Sequence, residues 1–425
     1  MLKKFLWTIA SLSLTQITFA QNIESQAQHH QNLTPAQKLI SDSGEELLTK
    51  GNADDHSTII SGYGEMSLRR DVAYKLSKAN LDRVVLFVGH QFSNRLSFFS
   101  ELEVANARIE EGTPMGEVGM EQAFLRYNFN SKNYLIAGLN PFRLGITNEA
   151  HMPTDFYSSE RPQVEQFVIP STWRELGFTF YGQMKNLPLA YTIGISNGLD
   201  ASKYQHGFGI GKGSLGGQSI NANSMAVNAS LRAFLGDVQA QVSGYYGGSI
   251  ALSPYTADSL GVAHGAFAAP VMLAEANVQY ERDAFSAKAL GVIINNPEAS
   301  EINTTFANNA PQFMYGFYGE AAFDFLYYSK LQAKHKLSLV GFLRYEKLNL
   351  NATIPSNGIV DGTLDQNHFI AGIAFFPTYN VVVKGDVRYT STGAFNKNLM
   401  INPPPVMRPY AEKNYTVSLC IGYAF

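Results

Sequence analysis

The last eleven residues, Tyr415 to Phe425, alternate without a break: Tyr415, Val417, Leu419, Ile421, Tyr423 and Phe425 share one face of an extended strand, and Thr416, Ser418, Cys420, Gly422 and Ala424 share the other. Side chains in a strand point to opposite sides with period two. One side of this segment therefore suits hydrocarbon and the other suits water or close packing, and the strand ends on an aromatic carboxyl terminus. That pattern points to the closing strand of a transmembrane β-barrel.

The other end of the chain is consistent with such a destination. Lys3 and Lys4 precede an apolar stretch from Phe5 to Leu14, and Thr18-Phe19-Ala20 supplies small residues before Gln21. Residues 1–20 read as a cleaved secretory signal, and Gln21 in place of a cysteine gives no sign of a lipid anchor. No stretch of about 20 apolar residues is available to cross a bilayer as a helix. Membrane passage must then use strands, whose signal is weak one by one and convincing only through repetition. Composition agrees: 12% aromatic with 22 Tyr and 28 Phe, 36 Gly, and only 16% charged. The single cysteine excludes an internal disulfide, and a net charge of −3 speaks against a nucleic-acid partner.

The alternation recurs along the chain. Met225, Val227, Ala229 and Leu231 oppose Asn228, Ser230 and Arg232; Met272, Ala274, Ala276 and Val278 oppose Glu275, Asn277 and Gln279. Phe313, Tyr315, Phe317, Ala321 and Phe323 oppose Glu320 and Asp324, and Val381, Val383 and Val387 oppose Lys384, Asp386 and Arg388. A Lys or Arg facing lipid at the bilayer midplane costs about 2–4 kcal/mol. The polar faces should therefore line a wet interior.

Connections alternate in length. Short ones fall at 93–94, 130–132, 183–186, 236–237, 282–284, 328–335 and 377–380; long ones fall at about 70–80, 109–116, 140–172, 198–223, 248–270, 295–311, 349–367 and 392–412. This predicts an all-β chain: a transmembrane antiparallel β-barrel of about sixteen strands over 58–425, with short periplasmic turns and long extracellular loops. Three strands have ambiguous faces. Both phases of 83–92 are apolar, Glu121 shares a phase with Leu125 and Tyr127, and 136–139 is short. Residues 21–57 read as a polar periplasmic segment, either a short helix capped at Thr34 with Pro35 in its first turn or a mobile tail.

The long link at 140–172 is the most distinctive. It joins the fifth predicted strand to the sixth and is stiffened by Pro141, Pro153, Pro162 and Pro170. We read it as a constriction loop and single out Arg143, Glu149, His151, Asp155, Glu160, Arg161, Glu165, Arg174 and Glu175. The spacing of Glu149, His151, Asp155 and Glu160 is too irregular for a metal site, so these residues are expected to hold the loop against the barrel wall. For Arg161, Arg174 and Glu175 two readings stand side by side: contact with a solute in transit, or pairing with wall carboxylates. Trp173 is expected near a membrane interface as an anchor. On the interior face the alternation and spacing place Glu101, Glu103, Arg126, Arg232, Glu275, Lys288, Glu320, Asp324, Arg344, Glu346, Lys384, Asp386 and Arg388.

Several runs together resemble the phosphate-selective porin O and P family: Ser61-Gly62-Tyr63-Gly64-Glu65, Phe99-Ser100-Glu101-Leu102-Glu103, Gly119-Met120-Glu121-Gln122-Ala123-Phe124, Asn148-Glu149-Ala150-His151-Met152-Pro153, Glu160-Arg161-Pro162, and Ile169 to Gly177. The resemblance covers most of the barrel. It implies a sixteen-stranded, homotrimeric passive channel surrounded by outer-membrane lipid and lipopolysaccharide. Phe425, by resemblance to other outer-membrane proteins, implies an assembly signal read by the barrel-assembly machinery. Members that select phosphate carry an arginine ladder and a lysine cluster in the constriction loop. Here acidic residues are interleaved with the interior cations and the loop has no lysine, so phosphate selection is not expected.

An enzymatic barrel would need a nucleophile or activated water with a base held in register. The histidines are scattered and no Gly-x-Ser-x-Gly occurs. The expectation is therefore a porin without cofactor or metal, passing small hydrophilic solutes or ions. The alternatives are a substrate-specific transporter for an anion or a hydrophobe, plugged by residues 21–57, and then a structural or enzymatic barrel.

Overall fold

A computed structural model describes residues 58–106, 116–218, 222–396 and 411–425. The expected signal at 1–20, the segment 21–57, and most of the links at 109–116 and 392–412 lie outside the described residues. Sixteen strands run in order: β1 Thr58–Asp71, β2 Leu76–Gln91, β3 Leu96–Ala105, β4 Glu117–Asn130, β5 Asn133–Pro141, β6 Arg174–Gln183, β7 Leu189–Asn197, β8 Met225–Leu235, β9 Val238–Gly247, β10 Val271–Arg282, β11 Phe285–Asn295, β12 Phe313–Asp324, β13 Ser338–Thr353, β14 Asp365–Thr378, β15 Val381–Thr392 and β16 Lys413–Ala424. Every strand pairs antiparallel with its sequence neighbours, and β1 pairs with β16 from Tyr63↔Ala424 to Asp71↔Thr416, so the sheet closes with no free edge.

Closure follows the alternation. In β16 Val417, Leu419 and Ile421 face outward and Ser418, Cys420 and Gly422 are buried inside. The outward apolar positions of the other strands, among them Ile193, Val242, Ile293, Phe317, Leu343, Phe369 and Ile373, form an exposed belt around the barrel. No described helix is long and apolar enough to cross a membrane. An apolar belt on a closed barrel satisfies every backbone group within the sheet, which is the condition hydrocarbon imposes.

Two of the three ambiguous strands are explained by bulges, and the third, expected at 136–139, runs from Asn133 to Pro141. Between β3 and β4 the register slips at Glu101/Leu102 with Glu121 as the extra residue, so Glu121 and then Gln122, Phe124 and Arg126 all reach the interior. Between β1 and β2 it slips at Glu65/Met66 with Asp82 unpaired. Both phases of β2 are apolar because Val85 and Phe87 face an interior that is packed there. Phe87 joins Phe99, Phe124, Ile136 and Tyr181 in a buried cluster.

Two connections differ from expectation. The link at 70–80 is not a long loop: β1 and β2 run to a tight turn at 72–75, closed by Lys75 N–H donating to the Val72 carbonyl at 3.3 Å. The opposite correction applies at 328–335, where the connection occupies 325–337 and contains a helical stretch, Lys330–His335. The link between β5 and β6 spans 142–173 and folds into the barrel, where the largest buried cluster forms.

Candidate functional site

The loop between β5 and β6 enters the barrel because it carries its own apolar side. Phe142, Leu144, Val164, Val168, Ile169 and Trp173 pack against Tyr245, Leu273, Val292, Ile294, Met314, Tyr318 and Leu348 on the inner wall of β9 to β13. A turn of π-helix at Val164–Val168 lies on β12 where Gly316 leaves room; a Cβ there would stand 2.8 Å from the Val164 side chain. Trp173 is 1% exposed, 4.6 Å from the Tyr245 ring and 5.5 Å from Phe142. It is a core residue of the loop and not the interface anchor expected from sequence, because the apolar loop residues around it make an interior that excludes water.

Within this core Glu165 is fully buried and satisfied. Its carboxylate accepts from the Ile146 and Thr147 amides at 2.8 and 2.6 Å, from the Thr147 hydroxyl at 3.0 Å and from the Tyr318 hydroxyl at 2.6 Å. Gly145 makes this approach with φ +73°, and a Cβ there would fall 2.6 Å from the carboxylate. Asn148 joins the two ends of the loop: its side-chain N–H groups donate to the Phe142 and Trp173 carbonyls at 2.7 and 2.9 Å, and its oxygen accepts from the Trp173 amide at 2.6 Å. Glu175 is buried behind, accepting from the Trp173 indole at 3.1 Å and Asn197 at 2.6 Å.

Away from the core, charge holds the loop to the wall. Glu149 lies between Arg143 of the loop and Arg232 of β8, each at 3.0 Å. Burial works against its charge, yet the two guanidinium groups together hold the Glu149 carboxyl below the usual range. The His151 carbonyl accepts from Arg83 of β2 at 2.7 Å, and His151 Nε2 stands 3.5 Å from Glu101 of β3. Asp155 is exposed and caps the Met152 amide at 3.0 Å, a turn within the loop.

The loop tip rests on β12 to β15. Ser158 Oγ accepts from Arg344 at 2.6 Å, the Ser158 carbonyl accepts from Lys384 at 3.0 Å, and the Ser159 amide donates to Asp386 at 2.6 Å. Lys384 has no exposed surface and lies 3.7 Å over the Phe156 ring. Arg344 also pairs with Glu320 and Glu346 at 3.1 and 2.8 Å, and Glu320 with Lys288 at 3.1 Å. Glu160 pairs with Arg69 of β1 and Arg388 of β15. Burial raises its pKa, but Arg388 and Arg69 outweigh that and hold the carboxyl down at about 2.

Arg161 differs from its neighbours. It is half-buried, donates to Thr172 Oγ1 at 3.1 Å, and makes no ion pair among the described residues. Arg174, also half-buried, pairs with Glu121 at 3.2 Å and donates to the Met120 carbonyl at 2.9 Å. Glu103 faces Arg83 at 3.9 Å.

The remaining interior residues are farther from the loop tip. Arg126 lies 4.0 Å over the Tyr134 ring, Glu275 accepts from Asn277 at 2.7 Å, and Asp324 sits at the strand end, capping the Leu326 and Leu339 amides at 2.9 and 3.1 Å. Sequence reasoning did not single out Arg69, Arg83 or Tyr318. Arg83 was hidden by the apolar phases of β2, and no sequence signal marks Tyr318 as a partner of Glu165.

No family model matches the chain. The chain is 26% identical over 339 residues to an uncharacterized protein of Aquifex aeolicus (strain VF5), a match covering 77% of this chain and 74% of that one. Among solved structures it is similar to the outer membrane channel DcaP of Acinetobacter baumannii, with a TM-score of 0.52 at 9% identity over 87% of this chain and 97% of that one. It is also similar to OmpT of Vibrio cholerae, with a TM-score of 0.50 at 12% identity over 88% and 99%. A third similar structure is OmpF of Salmonella typhi, with a TM-score of 0.50 at 13% identity over 87% and 98%. At these identities the likeness is one of fold. The narrower resemblance to phosphate-selective porins rests on the sequence motifs alone.

Proposed function

We propose that this chain is an outer-membrane porin that lets small hydrophilic solutes or ions diffuse through a water-filled bore narrowed by residues 142–173, working as a homotrimer. The observation that carries the reading is the loop itself. It is fastened along one side of a sixteen-stranded barrel by an apolar core, and its tip presents half-buried charges, Glu160 and Arg161, beside Arg69, Glu103 and Arg174. A barrel of this strand number leaves more bore than wall side chains fill. The similar structures support the reading, since DcaP is described as a channel and OmpT of Vibrio cholerae occurs in a trimer form. Selection would come from size and from charges focused by low-dielectric walls. Because Arg143, Arg174, Arg232, Arg344 and Arg388 already face carboxylates, phosphate specificity is not part of the reading.

The purified chain in planar bilayers is expected to give stepwise, ohmic conductance with weak ion preference. Arg161→Glu should move the reversal potential toward cations more than Lys212→Glu, a change in the loop between β7 and β8. Folded barrel without conductance steps would sink the porin reading; equal shifts from the two variants would remove Arg161 from the narrow zone.

A further inference from the structure

The connection between β12 and β13 has no counterpart among the described residues at its end of the barrel. The other described links there, 92–95, 131–132, 184–188, 236–237, 283–284 and 379–380, use two to five residues, the length an antiparallel hairpin needs. Residues 325–337 are ordered by their own bonds: the Phe325 amide donates to Leu339 at 2.9 Å, Ser329 Oγ accepts from the Gln332 amide at 3.1 Å, and the Lys336 amide donates to Gln332 at 2.8 Å.

The composition of this turn is amphipathic in a particular way. Phe325, Tyr328 and Leu331 are 62%, 76% and 50% exposed, and Phe325 continues the outer belt, 5.6 Å from Phe323 and laid across Gly341. Lys330, Lys334 and Lys336 are exposed and form no ion pair among the described residues, with exposed His335 between them. Nearby acids do not cancel them. Asp324 caps the turn, Asp283 lies 3.8 Å from Arg282, and Glu281 remains on the neighbouring hairpin.

We propose that residues 325–337 are a foot that binds anionic phospholipid headgroups at the membrane surface on the side of Thr58 and Phe425, with Phe325, Tyr328 and Leu331 at the acyl boundary and the three lysines on the phosphates. Aromatic rings at headgroup level beside unpaired lysines fit an anionic lipid surface. Continuity of Phe325 with the lipid-facing belt favours lipid over a soluble protein partner. The proposal rests on the outer-membrane reading only for the presence of a bilayer on that face.

The test uses the full chain folded into phosphatidylethanolamine vesicles with or without phosphatidylglycerol. Tyr328→Trp supplies an indole whose depth is read by brominated lipids as the difference from the unsubstituted chain, whose Trp7 and Trp173 give the background. Quenching and a blue-shifted emission are expected. The triple variant Lys330→Gln, Lys334→Gln, Lys336→Gln should retain at least fivefold less phosphatidylglycerol relative to phosphatidylethanolamine after purification, since one lysine near an anionic surface accounts for roughly fivefold. Lys203→Gln with Lys212→Gln, at the opposite end, should leave the ratio unchanged. An unquenched indole, as a soluble partner's docking site would give, overturns the proposal, and so does quenching with an unchanged lipid ratio in the triple variant. Conductance is recorded on the same samples, so a failed porin reading registers separately.

Discussion

Replacing Glu165 by leucine tests whether the loop is held in place by its buried carboxylate. The side chain accepts four bonds, two of them from the backbone amides of Ile146 and Thr147. The Thr147 and Tyr318 hydroxyls can rotate to other acceptors, but the amides are fixed, that of Thr147 buried and that of Ile146 partly so. A buried donor left without an acceptor costs about 1–3 kcal/mol, so the docked loop loses about 2–6 kcal/mol relative to an undocked one. At the middle of that range the docked-to-undocked ratio falls about a thousandfold. The barrel ladder is untouched, so heat-modifiable mobility on gels should persist. Single-channel records should then become larger and noisier, and proteolysis should cut within 142–173. Wild-type conductance and protease resistance in Glu165→Leu would refute the reasoning, because they would mean that the apolar contacts alone hold the loop.

Two further expectations concern assembly and pH. Phe425 closes the barrel through reciprocal backbone bonds with Gly62 at 2.8 and 3.0 Å, with its ring exposed on the outer face; deleting it, or Phe425→Asp, should lower the yield of heat-modifiable barrel severalfold, and unchanged yield in cells would reduce the ring to a lipid contact. The Glu160 carboxyl, held at about 2 when docked against an ordinary value of 4.5, contributes to docking above pH 4.5, and that contribution fades as pH falls toward 2. Conductance noise should therefore rise on acidification across that window, and the rise should be absent in Glu160→Gln, whose loop is loosened at every pH. A pH-independent wild type would remove the Arg69–Glu160–Arg388 cluster as a fastener.

How much of this was legible in the sequence depends on which interior the residues face. From β8 to β16 the outer face is largely apolar and the inner face carries enough polar residues, Asn228, Glu275, Lys288, Glu320 and Lys384 among them, for period two to read directly even where Leu273, Val292 and Leu348 pack inward against the loop. In β2 to β4 the interior face packs Phe87, Phe99 and Phe124 together, with Val85 beside Tyr63, and the extra residues Asp82 and Glu121 shift the phase; neither hydrophobicity nor period identifies a face there. In the loop, residue types marked a charged, proline-stiffened insertion, but partners did not follow. Glu149 finds Arg232 and Ser159 finds Asp386 across long stretches of chain, pairings that only barrel closure brings about. Trp173 was misplaced because an aromatic at a strand end looks the same whether a lipid headgroup or a loop core lies beside it.

The two kinds of fastening divide the barrel interior, and the division bears on how the pore would treat ions. Inside the apolar core that the loop makes against β9 to β13 water is excluded, and the polar side chains Glu165, Asn148 and Glu175 at that core are hydrogen-bonded within the protein. Outside that core charges sit in clusters: Arg143 and Arg232 around Glu149, Arg69 and Arg388 around Glu160, and, on β11 to β13 themselves, Lys288 and Arg344 with Glu320 and Glu346. Paired charges act at a distance as dipoles, and their fields decline steeply within the roughly 10 Å screening length of moderate salt. Asp82 adds acid near Arg69 at 3.8 Å, and Glu65 and Glu103 share Arg83, so no sign dominates the wall. Arg161, at the loop tip, donates to Thr172 Oγ1 and makes no ion pair among the described residues. A weak preference at the narrow zone should therefore carry the sign set by Arg161, toward anions, whatever the chain's net charge of −3.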